Sequence, residues 1–147
     1  MYYFFDTSAL VKRYHVEEGS HIVNGIFETA GNKILIANLS MAEFASAINR
    51  KKNKGEISNE QIKVVLRKFA TETILPNIVT VGITTKHITG AYDLIFEHNL
   101  TSNDAIILAA CLNFIEVDPV FVCADVRSGL LKAAHDCHLS TLNPLSI

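Results

Sequence analysis

An α/β protein built on a mostly parallel sheet is the fold class this sequence predicts, and three observations carry it. Short apolar strands alternate with helix-periodic stretches from one end of the chain to the other. The opening run Tyr2-Tyr3-Phe4-Phe5 has no polar alternation, as expected of a strand buried on both faces. It breaks at Asp6, ahead of an apolar-periodic stretch through Leu10, Val11 and Tyr14. A carboxylate therefore stands at the carboxyl end of a central strand, where open parallel sheets bind their ligands.

The remaining elements follow in order. Gly19 and Ser20 open a second helix through Ile22, Ile26 and Phe27, with Gly31-Asn32 as its C-cap. Residues 33–38 form the second strand. A long helix then starts at Ser40, with Met41, Phe44, Ala45 and Ile48 on one face, and closes at Lys54-Gly55. Ser58 caps the next helix, which carries Ile62, Val65, Leu66 and Phe69 and is ended by Pro76. Residues 78–81 are the third strand and 85–97 a further helix. Thr101 and Ser102 begin a strongly apolar helix through Leu112, residues 119–125 are the fourth strand, and a helix over 127–137 leads to a short strand near 140–142.

Composition narrows the class further. The 147 residues suit one domain spanning 1–147, without repeats, low-complexity stretches or a linker. A 49% hydrophobic and 19% charged composition fits a compact globule, and a net charge of −2 provides no overall basic field. Cys111, Cys123 and Cys137 are odd in number, lack a Cys-x-x-Cys pair and sit in apolar surroundings, as reduced core cysteines do. Neither a basic-then-apolar leader nor a membrane-length apolar run is present, so a cytoplasmic protein without membrane association is expected.

Four acids fall at strand-to-helix junctions. Asp6 and Asp125 end strands, while Glu43 and Asp104 lie in first helical turns. Each has an ordinary alternative role as a cap, in a capping box (Ser40 with Glu43, Thr101 with Asp104) or as a partner of the helix dipole. Together they point elsewhere, because all such junctions of a parallel sheet share one edge. Two carboxylates about 4 Å apart repel by roughly 4 kcal/mol at an effective dielectric near 20. A converged cluster must take up protons or share a cation. Hard oxygen donors without His or Cys select Mg²⁺ or Mn²⁺ over zinc, and metal-assisted phosphodiester hydrolysis is the matching chemistry.

At these residues the chain resembles the PIN-domain family, and within it the VapC-type toxin ribonucleases. Residues 5–12 (Phe5-Asp6-Thr7-Ser8-Ala9-Leu10-Val11-Lys12) resemble the first motif, 40–44 the second, 100–109 the third and 121–125 the fourth, in the family's order and spacing. The resemblance implies a three-layer αβα fold and a Mg²⁺- or Mn²⁺-dependent endoribonuclease, homodimeric and paired with an antitoxin that blocks the acidic site. Asp6, Asp104 and Asp125 would hold the metal, directly or through water. Glu43 would position or deprotonate the water, and Thr7 or Ser8 would place a hydroxyl beside Asp6. Two departures stand out: Thr101 replaces an arginine common after the third-motif leucine, and no glycine precedes the last strand at 135–138.

RNA also needs cations. Residues 50–68 hold seven of the thirteen basic side chains, among them Arg50, Lys51 and Lys52; Lys12 and Arg13 lie nearest Asp6 in sequence. These five are the expected RNA contacts, although a solvated helix end would look the same. His135 and His138 have the i, i+3 spacing of a ligand pair but no third partner of motif-like spacing. The other four histidines read as surface or partly packed residues, and Phe27, Phe44, Phe69 and Phe96 as core. An aspartyl-nucleophile phosphohydrolase wants a second acid at position 8, where Ser8 stands, and neither a Gly-x-Gly-x-x-Gly nor a P-loop follows the first strand. Two other readings share the fold: a non-catalytic module docking a basic partner on its acidic edge, and a non-toxin nuclease of RNA processing.

Overall fold

In the computed structural model, which describes residues 1–146, the first strand β1 (Tyr2–Phe5) is the middle of a five-stranded sheet. Its neighbours are β2 (Lys33–Ala37) on one side and β4 (Val120–Val122) on the other. The outer strands are β3 (Ile78–Val81) beside β2 and β5 (Ser140–Leu142) beside β4. The order is β3-β2-β1-β4-β5 and every pairing is parallel. Chain direction across the sheet reverses between β1 and β4, and a crevice opens at the carboxyl end of that pair.

The period-two alternation of the strands divides the core into two layers. Phe4, Leu35 and Phe121 face one side, together with residues of α5 (Thr85–His98), α6 (Ser102–Leu112) and α7 (Leu130–Asp136). Phe5, Ile34, Ile36 and Val122 face the other. There they pack with residues of α1 (Thr7–Leu10), α2 (Ser20–Glu28), α3 (Asn38–Asn53) and α4 (Asn59–Glu72). Tyr14, Phe44 and Phe69 interlock there, with Phe44 and Phe69 rings 4.2 Å apart. The result is the three-layer αβα arrangement.

Several sequence expectations shift. β1 is fully buried only at Phe4 and Phe5; Tyr2, at its open end, is 40% exposed. The predicted fourth strand stops at Val122, because Arg127 N–H turns back to Asp125 Oδ1 at 2.8 Å and draws 123–129 into a loop. For the same reason the last helix begins at Leu130 instead of Arg127. Helix α3 starts at Asn38, so Ser40 is its third residue and fully buried. The Ser40–Glu43 capping box does not form, and Glu43 is left for other contacts. Gly31 lies beyond the end of α2, where Thr29 is the C-cap. Phe96, expected in the core, is 88% exposed, and with Ile88 and Tyr92 it forms an uncovered apolar stripe on α5. His87, expected at the surface or partly packed, is buried and completes a capping box with Thr84. His138 follows the end of α7 with φ 66°, so it shares no helical face with His135.

Candidate metal-dependent active site

Asp6 leaves β1 with its main-chain N–H on Val122 O at 2.9 Å, which locks it against β4. It is the N-cap of α1, and its Oδ2 accepts from Ser8 N–H at 2.9 Å and Ser8 Oγ–H at 2.5 Å. Ser8 Oγ in turn accepts the N–H groups of Ala124 and Asp125 at 3.0 and 3.1 Å. One hydroxyl thus ties the segment after β1 to the loop after β4. Cys123 stands behind it, its Sγ 3.7 Å from Asp6 Oδ2. The bonds from Ser8 and the Cys123 contact all fall on Oδ2 and fix the orientation of the carboxyl.

Glu43 lies in the second turn of α3 and reaches across to α1 and α6. Its Oε1 accepts from Thr7 Oγ1 at 3.1 Å and its Oε2 from Asn103 Nδ2 at 3.3 Å. Thr101 Oγ1 caps α6 by accepting Asp104 N–H at 3.3 Å, so Asp104 sits in the first turn as the sequence predicts. These side chains line a cavity of about 320 Å³ together with Asp125, Ser8, Ser46, Ala47 and Arg50. All four acids singled out in the sequence meet there, with both neighbouring hydroxyls.

The electrostatics are those of an unneutralised cluster. Burial raises the Asp6 carboxyl above its ordinary value, against the hydrogen bonds from Ser8. Burial likewise raises Glu43, partly offset by the Thr7 bond and Arg50 and reinforced by Asp6. Asp104 is pushed up to about 6 by burial and then by the charge of Asp6, with smaller contributions from Glu43 and Asp125. Carboxylates crowded in this way are relieved either by protons or by a shared divalent cation. Among the described residues no three His, Cys, Asp or Glu side chains stand close enough to enclose an ion by themselves. The carboxylate lining fits a hard ion such as Mg²⁺ or Mn²⁺, which binds through one or two carboxylates and keeps water on its other positions. The all-oxygen donor set suits those ions and gives zinc no soft ligand.

The basic residues sort differently from the sequence expectation. Lys12 is buried and bound to Glu17 Oε1 at 2.9 Å. Arg13 is spent on Glu28 and Glu72, each at 2.9 Å, and lies over the Phe27 ring. Proximity in sequence misled at both positions, because the turn after α1 carries them under the sheet's second helical layer. Lys51 pairs with Glu17 and Glu56, and Lys52 faces the opposite groove with Lys63. Arg50 alone of the five enters the acidic cavity. Ser46, Ala47 and Asn103 were missed; Ser46, Ala47 and Arg50 follow Glu43 at i+3, i+4 and i+7, a spacing that puts them on one helical face.

A PIN domain family model matches residues 3–134. The chain belongs to the PIN domain family. Three solved structures share this PIN fold over nearly the whole chain. VapBC2 from Rickettsia felis, bound to a DNA fragment from its promoter, is 18% identical with a TM-score of 0.65, covering 97% of this chain and 98% of that one. FitAcB from Neisseria gonorrhoeae is 16% identical with a TM-score of 0.61 and complete mutual coverage. A toxin–antitoxin complex from Klebsiella pneumoniae is 14% identical with a TM-score of 0.61, covering 99% of each chain. At these identities the likeness is one of fold. No curated protein sequence matches. PIN domains are nucleases, and the acidic cavity lies where the parallel sheet offers its ligand crevice.

Proposed function

We propose that this PIN domain is a metal-dependent endoribonuclease that hydrolyses RNA phosphodiester bonds, and that it is the toxin of a VapC-type toxin–antitoxin pair. The observation that carries the reading is the meeting of Asp6, Glu43, Asp104 and Asp125 in one cavity, with burial raising the proton affinity of the first three and neighbouring carboxylates adding to it at Glu43 and Asp104. Bound Mg²⁺ or Mn²⁺ would supply Lewis-acid stabilisation of a phosphoryl oxygen and a more acidic water. Asp6, Asp104 and Asp125 would hold it, directly or through water. Ser8, bonded to Oδ2, would hold the Asp6 carboxyl in place for the ion. Glu43, oriented from both sides by Thr7 and Asn103, is the group to orient the attacking water and take its proton.

The partner side of the reading is an antitoxin, as in the toxin–antitoxin complexes of the same fold. Homodimerisation, with the α5 stripe of Ile88, Tyr92 and Phe96 as the face to be covered, and a cytoplasmic site of action belong to it as well. The test is cleavage of structured and unstructured RNA by the purified chain with Mg²⁺, Mn²⁺ or chelator, beside folded Asp6→Asn and Asp104→Asn variants. Loss of cleavage with chelator and in both variants supports the nuclease. Equal trace cleavage in all three proteins marks contamination, and the acidic edge then becomes a docking surface for a basic partner.

A further inference from the structure

The acidic cavity has a basic neighbour. A second cavity of about 350 Å³ shares Ser8, Ala47 and Arg50 with it and continues over Lys51, Lys54, Glu17 and Glu56. Glu43, Ala47 and Arg50 follow one another at i, i+4 and i+7 on a single face of α3, and Lys54, the C-cap of the helix, extends that face at i+11. At 1.5 Å per residue that face runs about 10 Å from Glu43 to Arg50 and about 16 Å to Lys54. Charge changes sign along it, from the acids to the cations.

The cations there are not equivalent. Glu17 is held by both Lys12 and Lys51, and Glu56 is 3.5 Å from Lys51. These two carboxylates are thereby matched to these two lysines. Among the described residues Arg50 and Lys54 have no carboxylate within ion-pair distance, and both are exposed. Gly19 keeps the 15–19 loop, and so Glu17, in place: at φ 82° a Cβ there would come within 2.7 Å of Pro144 O. The clamp on Lys51 is built in, and two unmatched positive charges remain at the mouth of the cavity.

Resting on the nuclease reading, we infer that this second cavity is a phosphate subsite. Arg50 and Lys54 grip the backbone of single-stranded RNA next to the phosphodiester that enters the acidic cavity, and the strand runs along α3 from Glu43 toward Lys54. Arg50, on the wall common to both cavities, meets the nearer phosphate with its fork of donors; Lys54 meets the next as a point charge. An acidic protein segment would find the same cations but would be repelled by the carboxylates beside them. Only a chain of regularly spaced phosphates, read together with a metal ion, matches both cavities at once.

The experiment is the dissociation constant of a fluorescent single-stranded RNA of mixed sequence, with calcium at a fixed low concentration, as monovalent salt is varied. Wild type is compared with Arg50→Ala/Lys54→Ala and with a charge-matched control on α4, Lys63→Ala/Arg67→Ala. Two lost contacts at about 0.7 each should lower the slope of log K against log salt by about 1.4 in the first pair. They should weaken binding about tenfold at low salt, with little change in the control. An equal loss in both pairs means a diffuse field and overturns the subsite, as does an unchanged slope in the Arg50/Lys54 pair. Stronger competition by polyglutamate than by an equal charge of polyphosphate overturns it in favour of an acidic protein. Failure of the nuclease reading shows separately, as wild type that binds RNA with the full slope yet has no metal-dependent cleavage.

Discussion

Ser8 Oγ lies 2.5 Å from Asp6 Oδ2 while accepting two main-chain N–H groups from the loop after β4. A serine two residues beyond the first acid is thus the joint between two otherwise separate pieces of the site. Ser8→Ala leaves Ala124 and Asp125 N–H groups without their acceptor, at about 2 kcal/mol after relaxation. It also frees the Asp6 carboxyl to turn. The expected outcome is a lower denaturation midpoint together with weaker Mn²⁺ binding by calorimetry. Thr7 makes a single bond, to Glu43, so Thr7→Ala should cost about 1 kcal/mol and leave Mn²⁺ affinity closer to wild type. Equal Mn²⁺ affinity in wild type and Ser8→Ala would remove Ser8 from the site's positioning.

Asp104 gives the metal-free protein an unusual pH dependence. Its proton affinity rises on folding, from 3.8 to about 6. The native state therefore holds the proton more tightly than the unfolded chain. Its contribution is fully favourable below pH 3.8 and is lost as pH rises through about 6. The shift corresponds to about 3 kcal/mol, and screening on a partly exposed group leaves on the order of 1 kcal/mol. Asp104→Asn in chelator should melt about 2–4 °C higher than wild type at pH 7.5, with the gap closing toward pH 4. Magnesium should raise the wild-type midpoint and raise the variant's less. A lower melting point for Asp104→Asn at pH 7.5 would show the cluster is not strained by its own charge.

Glu17 should pull in the opposite direction. Burial raises its carboxyl, but hydrogen bonds from Lys51 and Lys12 outweigh that and hold it below the ordinary 4.5. A lowered native value contributes stability above pH 4.5 that disappears as pH falls through the native value. Glu17→Gln leaves Lys12 buried without a counter-charge, a loss of about 2–3 kcal/mol at neutral pH. Urea midpoints across pH 3–8 should show the variant well below wild type at pH 7 and converging with it in acid. Parallel curves would mean that the Lys12–Glu17–Lys51 cluster adds nothing through charge.

These contrasts mark what was legible from sequence. The four acids and the parallel sheet were readable because strand-to-helix junctions share an edge whatever the details of packing. The roles of the cations were not, because a lysine's partner is set by tertiary placement. Lys12 is six residues from Asp6 and buried against Glu17, while Arg50 is far off in sequence and lines the acidic cavity. The Ser40 cap failed for a related reason. Helix α3 begins directly on leaving β2, and Asn38 Oδ1 is used to accept Ile83 N–H at 3.2 Å. Phe96 is apolar but lies on the opposite side of α5 from the buried His87, Ala91 and Leu94, so apolar character without helical phase misplaced it.

The position where a glycine was missed makes the last prediction. His138 connects α7 to β5 with φ 66°, in the left-handed region that costs a residue with a Cβ about 1–2 kcal/mol. Asn99 and Asp118 share that conformation, but their short polar side chains tolerate it. His138 is exposed, and its side chain makes no hydrogen bond among the described residues, so little opposes its replacement. His138→Gly removes the strain, and the greater freedom of glycine in the unfolded chain returns part of the gain. A net stabilisation of about 0.5–1 kcal/mol is expected by urea denaturation, with His138→Asn giving a smaller gain of the same sign and His138→Ala giving none. A gain from alanine equal to that from glycine would locate the effect in the imidazole and acquit the backbone. A loss with glycine would mean that the side chain holds the turn, and that the histidine is a true substitute for the family's glycine.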